Sequence, residues 1–346
     1  ADPADDPPSP ASEPGIDRFR WAMAGLVVLA AIVRFVGLGH RPMHHDESLD
    51  AWFAWRFRHG QPYTYDPVYH GPLRFYLTAA AYTLFGESEA SARMLAAACG
   101  TAVVAVIGGF RRWLGDVGTI AAAAMAAISP SLVAFSRSGR EDSPMALLEL
   151  ALLLVVARWL DEPRRWHPPV ALALLAAAFA TKETTFILVA VMGSYVLVLG
   201  AVDELRHRRR RGRPTVLGAV AAPGWRAWAL GVLAFALVFS ALFSVWFTHL
   251  PGIVDGAVDG IRYWLSQQPV NRGSMRWPFY VIVLLGYEWP IVLLAGVGAA
   301  VVLHRRDRVL GLVAWTALGN LAVYSWASER FPWLVIHPLI PIVLLA

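Results

Sequence analysis

The chain has 346 residues, 57% of them hydrophobic and only 16% charged, with 30 Lys and Arg against 25 Asp and Glu for a net charge of +5. Soluble domains carry roughly 25% charged residues. The low charge, a mean hydropathy of +0.50 and repeated apolar runs near the ~20 residues that cross a bilayer exclude that class and predict a polytopic membrane protein. The single cysteine, Cys99, lies in an apolar run and excludes a disulfide framework. The basic residues cluster in loops between apolar runs, which is a topology signal and not a nucleic-acid surface.

Residues 1–17, rich in Pro, Asp and Ser, predict a disordered tail without the basic start of a signal peptide. A first span runs from Trp21 to about Leu38. A long polar loop, 39–89, follows; within it Ser48–His59 suits an interfacial helix, and Leu73–Phe85 is too short to cross and reads as a re-entrant or juxtamembrane helix. Further spans are expected at about Ala90–Phe110, Val117–Ala134, Pro144–Leu160, Pro168–Ala180, Thr184–Val202, Trp225–Phe247, Pro278–Leu303 and on to Trp326, with the start of a tenth behind it. The fold class is therefore all-α, a bundle of about ten spans, with 18–346 forming one transmembrane domain. The chain starts at Ala and stops inside an apolar run, so a piece truncated at its C-terminus is expected. If the N-terminus is cytoplasmic, the Arg-rich loops 111–116, 161–167, 203–224 and 304–308 all fall inside, as the positive-inside rule requires. The acidic clusters at 46–47, 141–142, 182–183 and 329–330 then share the extracytoplasmic side, where a packed bundle can bring them together.

The chemistry concentrates in His44-His45-Asp46-Glu47. A carboxylate at a membrane boundary can take a proton from an incoming hydroxyl or amine, and a neighbouring carboxylate or imidazole can position it; alternatively Asp46 simply caps the helix beginning near Ser48. His45, Asp46 and Asp142 are the ligand set for a divalent cation (magnesium, manganese or zinc), but adjacent ligands without a spaced partner are a weak metal signal. Tyr65, Tyr69 and His70 can line a sugar pocket or belong to an interfacial aromatic belt. Asp142 or Ser143 can cap a helix opened by Pro144, or Arg140 can bind phosphate with Glu141 and Asp142 beside it. Lys182 can snorkel and pair with Glu183, or meet an anionic lipid head group; Arg330 is a similar cation suited to phosphate. Arg34, Arg74 and Arg93 are lesser candidates, and Glu288 is a charge inside a span with no role assigned.

Asp46-Glu47 after the first span, the stretch HGPLRFYLTAAAYTLFGESEASARMLAAACG (70–100), SRSGREDSP, TKETT and SERFPWLVIHPLIP together resemble the GT-C superfamily of membrane glycosyltransferases, which includes dolichyl-phosphate-mannose protein mannosyltransferases and the lipid A aminoarabinose transferase. His44-His45-Asp46-Glu47 with Tyr65-Asp66-Pro67-Val68-Tyr69-His70-Gly71-Pro72 is most similar to the archaeal-type branch of flippase-activity-associated membrane proteins. The resemblance implies an enzyme of the cell membrane that moves a sugar, with inversion, from a polyprenyl-phosphate carrier to a protein, lipid or glycan acceptor outside the cytoplasm. Asp46 would be the base, assisted by Glu47. Lys182, Arg330 and Arg140 would meet the carrier phosphate, and His44, His45, Tyr65, Tyr69, His70, Glu141, Asp142 and Glu183 would line the substrate pocket. Arg140-Glu141-Asp142 stands where related oligosaccharyltransferases carry an Asp-x-Asp metal motif, which weakens a metal requirement. The alternative function is a lipid-linked-sugar translocation factor without transferase chemistry, for which polar residues are expected at mid-membrane.

Overall fold

The computed structural model describes residues 17–207, 215–267, 269–270, 275–305 and 307–346. All but the last residue of the expected tail, and most of the basic run at 204–213, lie outside the described residues. Apolar segments that cannot give backbone groups to water must satisfy them internally, and here they do so as helices throughout. In chain order these are α1 (Arg18–Phe35), α2 (His45–Arg58), α3 (Leu73–Phe85), α4 (Glu89–Ile107), α5 (Arg111–Ile128), α6 (Pro130–Ser136), α7 (Asp142–Asp161), α8 (His167–Phe179) and α9 (Thr185–His207). They continue as α10 (Val216–Ala221), α11 (Trp225–Phe243), α12 (Gly252–Val254), α13 (Gly260–Gln267), α14 (Phe279–Tyr287), α15 (Trp289–Arg305), α16 (Arg308–Trp326) and α17 (Ile336–Leu345). No strand occurs among the described residues.

Among them, five helices are long and apolar enough to cross a membrane, or six if the bent pair α14–α15 is one span. The ten expected spans are not all of this kind. The segment at 168–180 forms a helix of only 13 residues, α8. The expected span Pro278–Leu303 is broken: α14 and α15 meet at 105°. At the break Pro290 has no N–H to continue the α14 ladder, and Glu288 leaves helical geometry and turns its carboxylate onto Ser129 Oγ (2.9 Å) and the Ser131 N–H (2.8 Å) at the start of α6. The expected span Val117–Ala134 is likewise divided, at Ser129–Pro130, into α5 and α6.

The core explains why so apolar a tail as 336–344 exists. Every residue of Ile336–Leu344 is buried, and α17 packs against α5, α7, α15 and α16; a helix apolar all round belongs inside. Close helix approach elsewhere rests on small residues, as at Ala122, Ala123, Ala126 and Ala127 of α5, all buried along the contact with α1 and α4. Outward faces remain apolar, with Leu230, Val232, Leu233 and Leu237 of α11 exposed, as lipid contact requires. The two helices predicted inside the first loop are present: α2, starting at His45 where Ser48 was expected, and α3 with the expected ends. They pack on each other, and α3 packs on α4.

Candidate functional site

The start of α2 assigns different tasks to neighbouring residues. His44 is the N-cap: its Nδ1 accepts the Asp46 N–H (3.3 Å), and the Glu47 carboxylate accepts the His44 N–H (2.9 Å), closing a capping box. The capping role open to Asp46 in the sequence is thus taken by His44 and Glu47, and the Asp46 carboxylate is released from the helix end. Its side chain is 38% exposed and pairs with Arg140. Glu47 is the opposite case. It is 2% exposed and accepts from Arg93 Nε (3.0 Å) and Nη2 (3.2 Å), Arg41 (2.9 Å), Ser138 Oγ (3.2 Å) and the Gly139 N–H (2.6 Å). Burial pushes this carboxyl up, but the Arg93 hydrogen bond and charge and the two backbone N–H groups outweigh it and hold it lowered, at about 2.

Behind Asp46 lies a buried network of alternating charge. Arg140 pairs with Asp46, Glu141 (3.4 Å) and Asp142 (3.2 Å), and its guanidinium lies 3.9 Å over the Trp333 ring. Arg74 bridges Asp50 and Glu141 (2.6 Å to the latter). Lys182 reaches Glu141 at 2.9 Å and also holds Asp142. The local Lys182–Glu183 pair is therefore not what forms: the ammonium turns inward, and Glu183 pairs with His70 Nδ1 at 2.6 Å, while His70 Nε2 stands 3.4 Å from Glu141. Such burial is tolerable only because each charge has a partner. Burial raises the Asp50 carboxyl to about 7 against the pull of Arg74. At Glu141, burial is outweighed by Lys182, Arg74 and Arg140, which hold it well below the usual carboxylate range. At His70, burial is outweighed by Glu183 and Glu141, and the imidazolium is favoured. Deeper in, His337 joins Asp142 (3.7 Å) to Glu149 (2.8 Å) and stacks on Tyr324.

Backbone geometry fixes His70 at the junction of these parts. It has φ +64 and ψ −162, a conformation of order 1–3 kcal/mol above the ordinary wells for a side-chain-bearing residue. The neighbouring loops force it: the Gly71 N–H donates to Thr181 O (3.2 Å) and the Leu73 N–H to Ala180 O (2.9 Å), and a Cβ on Gly71 would overlap the Ala180 carbonyl.

The network opens on a cavity of about 550 Å³, walled by His44, Asp46, Tyr69, Arg140, Phe331 and Trp333. A second, mostly apolar cavity of about 240 Å³ is lined by Phe186, Ile187, Trp264, Val323 and Trp326, with Glu183 at one side. Val68, His70 and Glu329 line both.

The residues expected in the site divide accordingly. Asp46, His44, Tyr69, His70, Arg140 and Glu141 border the larger cavity. Lys182 and Asp142 lie behind it. His45 is exposed on α2 and lines neither cavity, and Tyr65 is buried against Phe243 at 4.9 Å. Arg330 is spent on the carbonyls of Ser325 (2.9 Å) and Met275 (2.8 Å) and fastens a loop. Arg34 likewise donates to the carbonyls of Ala126 and Ala127, both at 3.0 Å. Glu329 belongs to the acidic cluster expected at this end, whereas Trp333, Glu149 and His337 were not anticipated; a lone Glu in the apolar run of α7 and a lone His in that of α17 were the available signals. The expected ligand set His45, Asp46 and Asp142 does not fit a cation: Asp46 and Asp142 are held by Arg140 and Lys182. Among the described residues, no three of His, Cys, Asp and Glu converge on a metal-sized site.

Residues 69–222 match the sequence model of the family described as dolichyl-phosphate-mannose-protein mannosyltransferase. Curated protein sequences give no match. The structure resembles that of ArnT from Cupriavidus metallidurans bound to undecaprenyl phosphate (TM-score 0.72, 20% identity, 94% of this chain and 59% of that one). It also resembles the archaeal oligosaccharyltransferase AglB from Archaeoglobus fulgidus in complex with an inhibitory peptide and a dolichol-phosphate (TM-score 0.61, 14% identity, 95% and 50%), and the oligosaccharyltransferase of that organism in complex with Zn and sulfate (TM-score 0.61, 15% identity, 93% and 48%). The chain thus spans about half to three-fifths of these structures' length and shares their all-helical fold. None of these matches distinguishes the archaeal-type branch.

Proposed function

We propose that this chain is a membrane glycosyltransferase that moves a sugar from a polyprenyl-phosphate carrier to an acceptor hydroxyl or amine, with inversion and with Asp46 as general base. The observation that carries the reading is the contrast within one cluster. Asp50, Glu141 and Asp142 are buried and locked to cations; Asp50 and Glu141 also border the larger cavity, but of these four carboxylates only Asp46, with its side chain 38% exposed, is open to it. In the reaction the acceptor X–H bond gives its proton to Asp46, X bonds to the anomeric carbon, and the bond from that carbon to the carrier phosphate breaks, with its electron pair leaving on the phosphate. Arg140 and the His70 imidazolium, on a cavity wall that Arg74 also lines, are the cations we assign to meet that charge. Lys182 and Arg330, first candidates for this task, keep other partners, and we assign them to support: Lys182 holds Glu141 and Asp142 in place. Glu47 assists in the same indirect sense, by anchoring α2 to Arg93.

The apolar cavity beyond His70 suits the first isoprene units of the carrier, and the polar one suits the sugar between Trp333, Tyr69 and Asp46. No step runs through a metal ion, because guanidinium and ammonium groups occupy the positions a cation would take. The site lies at the end of the bundle where α7 begins and α16 ends. The Arg-rich segments 111–116 and 161–167 follow the far ends of α4 and α7, and by the positive-inside rule this supports an extracytoplasmic site.

The test is release of free polyprenyl phosphate from labelled polyprenyl-phosphate sugars by the purified full-length protein with membrane extract as acceptor source. Release is the expected outcome. Faster transbilayer movement of the donor in proteoliposomes without release would establish the translocation alternative instead.

A further inference from the structure

A second polar cavity, of about 260 Å³, lies at the opposite end of the bundle. α7 connects the two ends: it starts at Asp142 in the ion network and its 20 residues, at 1.5 Å rise each, span about 30 Å, the thickness of a bilayer's hydrocarbon core. The second cavity therefore sits at the other membrane surface. Trp113 and Trp166 are among its lining residues, and indole rings settle at that depth.

Its polar groups are Arg112, Arg158, Arg164 and His167 with one carboxylate, Glu162, so the balance is basic, and the basic groups are incompletely used. Arg112 is committed to Asp161 (3.0 Å) and Glu162 (2.7 Å), and Arg164 to Glu162 (3.2 Å). Arg158, in the last turn of α7, is exposed, and its side chain has no ion pair or hydrogen bond among the described residues. A cation there is favoured by the helix dipole, which accounts for its presence at a helix end but not for its place on a cavity wall. His167 supplies the independent observation. It is 1% exposed, and its Nδ1 accepts the Arg164 N–H at 2.9 Å, so the proton of the neutral ring sits on Nε2. That Nε2 is buried and has no partner, an omission that costs on the order of 1–3 kcal/mol unless something in the cavity accepts from it.

We propose that this cavity binds the phosphate head group of an anionic phospholipid, with Arg158 as the free cation and His167 Nε2–H as a buried donor. A guanidinium matches phosphate oxygens in a two-point contact, and basic recesses between spans at a membrane surface suit acidic head groups. The flanking indoles and the position at the bilayer boundary select a lipid over a dissolved phosphate. The site is separate from the transferase reading and stands or falls without it.

The protein in neutral detergent, stripped of lipid, is titrated with phosphatidylglycerol, phosphatidylcholine and inorganic phosphate, and retained ligand is measured by native mass spectrometry. Phosphatidylglycerol is expected to be held at least tenfold more tightly than phosphatidylcholine. Arg158→Gln should remove that preference while the lipid-free melting temperature stays unchanged, since Arg158 is exposed. His167→Phe should weaken it, and Arg165→Gln, an exposed neighbour outside the cavity, should not. Equal retention of the two lipids, an Arg158→Gln protein that still prefers phosphatidylglycerol, or inorganic phosphate bound as tightly as the lipid would each overturn the proposal.

Discussion

Arg41, Arg93, Ser138 and two backbone N–H groups converge on the Glu47 carboxylate, so the charge at 47 is part of the structure itself. Glu47→Gln leaves the fully buried Arg93 guanidinium without its buried counter-ion and with only the exposed Glu89 at 3.7 Å, a loss on the order of 3 kcal/mol. The pH dependence follows from its lowered pKa of about 2. A carboxyl depressed in the folded state contributes stability that is complete above its unfolded pKa, near 4.5, and is lost as the pH falls toward 2. Melting temperatures of the two proteins should therefore differ most above pH 5 and converge as the pH is lowered to 3; a difference independent of pH would contradict this. His70 offers a second residue-scale test. Both His70→Ala and His70→Gly remove the imidazolium and should lower turnover, yet the glycine protein should be the more stable by roughly 1 kcal/mol or more, because only glycine occupies φ +64 with ψ −162 freely. Equal melting temperatures would show that the backbone there relaxes.

At the scale of elements, the link at 70–73 that leads into α3 docks the first loop on the turn between α8 and α9. Gly71→Ala places a methyl group into the Ala180 carbonyl and should displace both His70 from Glu183 and α3 from its seat, lowering melting temperature and turnover together. Loss of neither would mean the two loops are not held in register. The elements also show what the sequence could convey. Apolar runs bounded by charges marked α1, α4, α7, α9, α11 and α16, because the bilayer length and the hydropathy act locally. The interfacial character of α2 and the shortness of α3 were legible for the same reason. The turn of Glu288 at the break was not, since its partners Ser129 and the Ser131 N–H are far away in sequence, although Pro290 beside it was a local breaking signal. Partner choice was also beyond local reading. Lys182 looked paired with its neighbour Glu183, but the turn sends the two side chains in different directions, to Asp142 and Glu141 on one side and His70 on the other. Arg330 looked like a phosphate ligand, and only the tertiary structure reveals the carbonyls that occupy it.

At the scale of the whole molecule, helices α4, α7, α8 and α16 carry most of their polar groups near their ends, with Glu149 inside α7 an exception. The buried salt-bridge network fills the end that faces the larger cavity, and His337 and Glu149 extend it inward. Ionisable groups at membrane depth are rarely idle. Here most of them hold one another, so that a single carboxylate, Asp46, can remain both fixed by Arg140 and open to the cavity. That division of labour is the central claim. It is tested most directly by single-turnover release of polyprenyl phosphate from Asp46→Asn beside wild type, with donor binding and melting temperature measured on the same preparations. The account predicts a rate loss of about 10²-fold or more, the usual worth of a positioned base, with donor binding and melting temperature nearly unchanged. Wild-type release by Asp46→Asn would contradict it and move the base elsewhere on the cavity wall, with Glu329 the next carboxylate to remove.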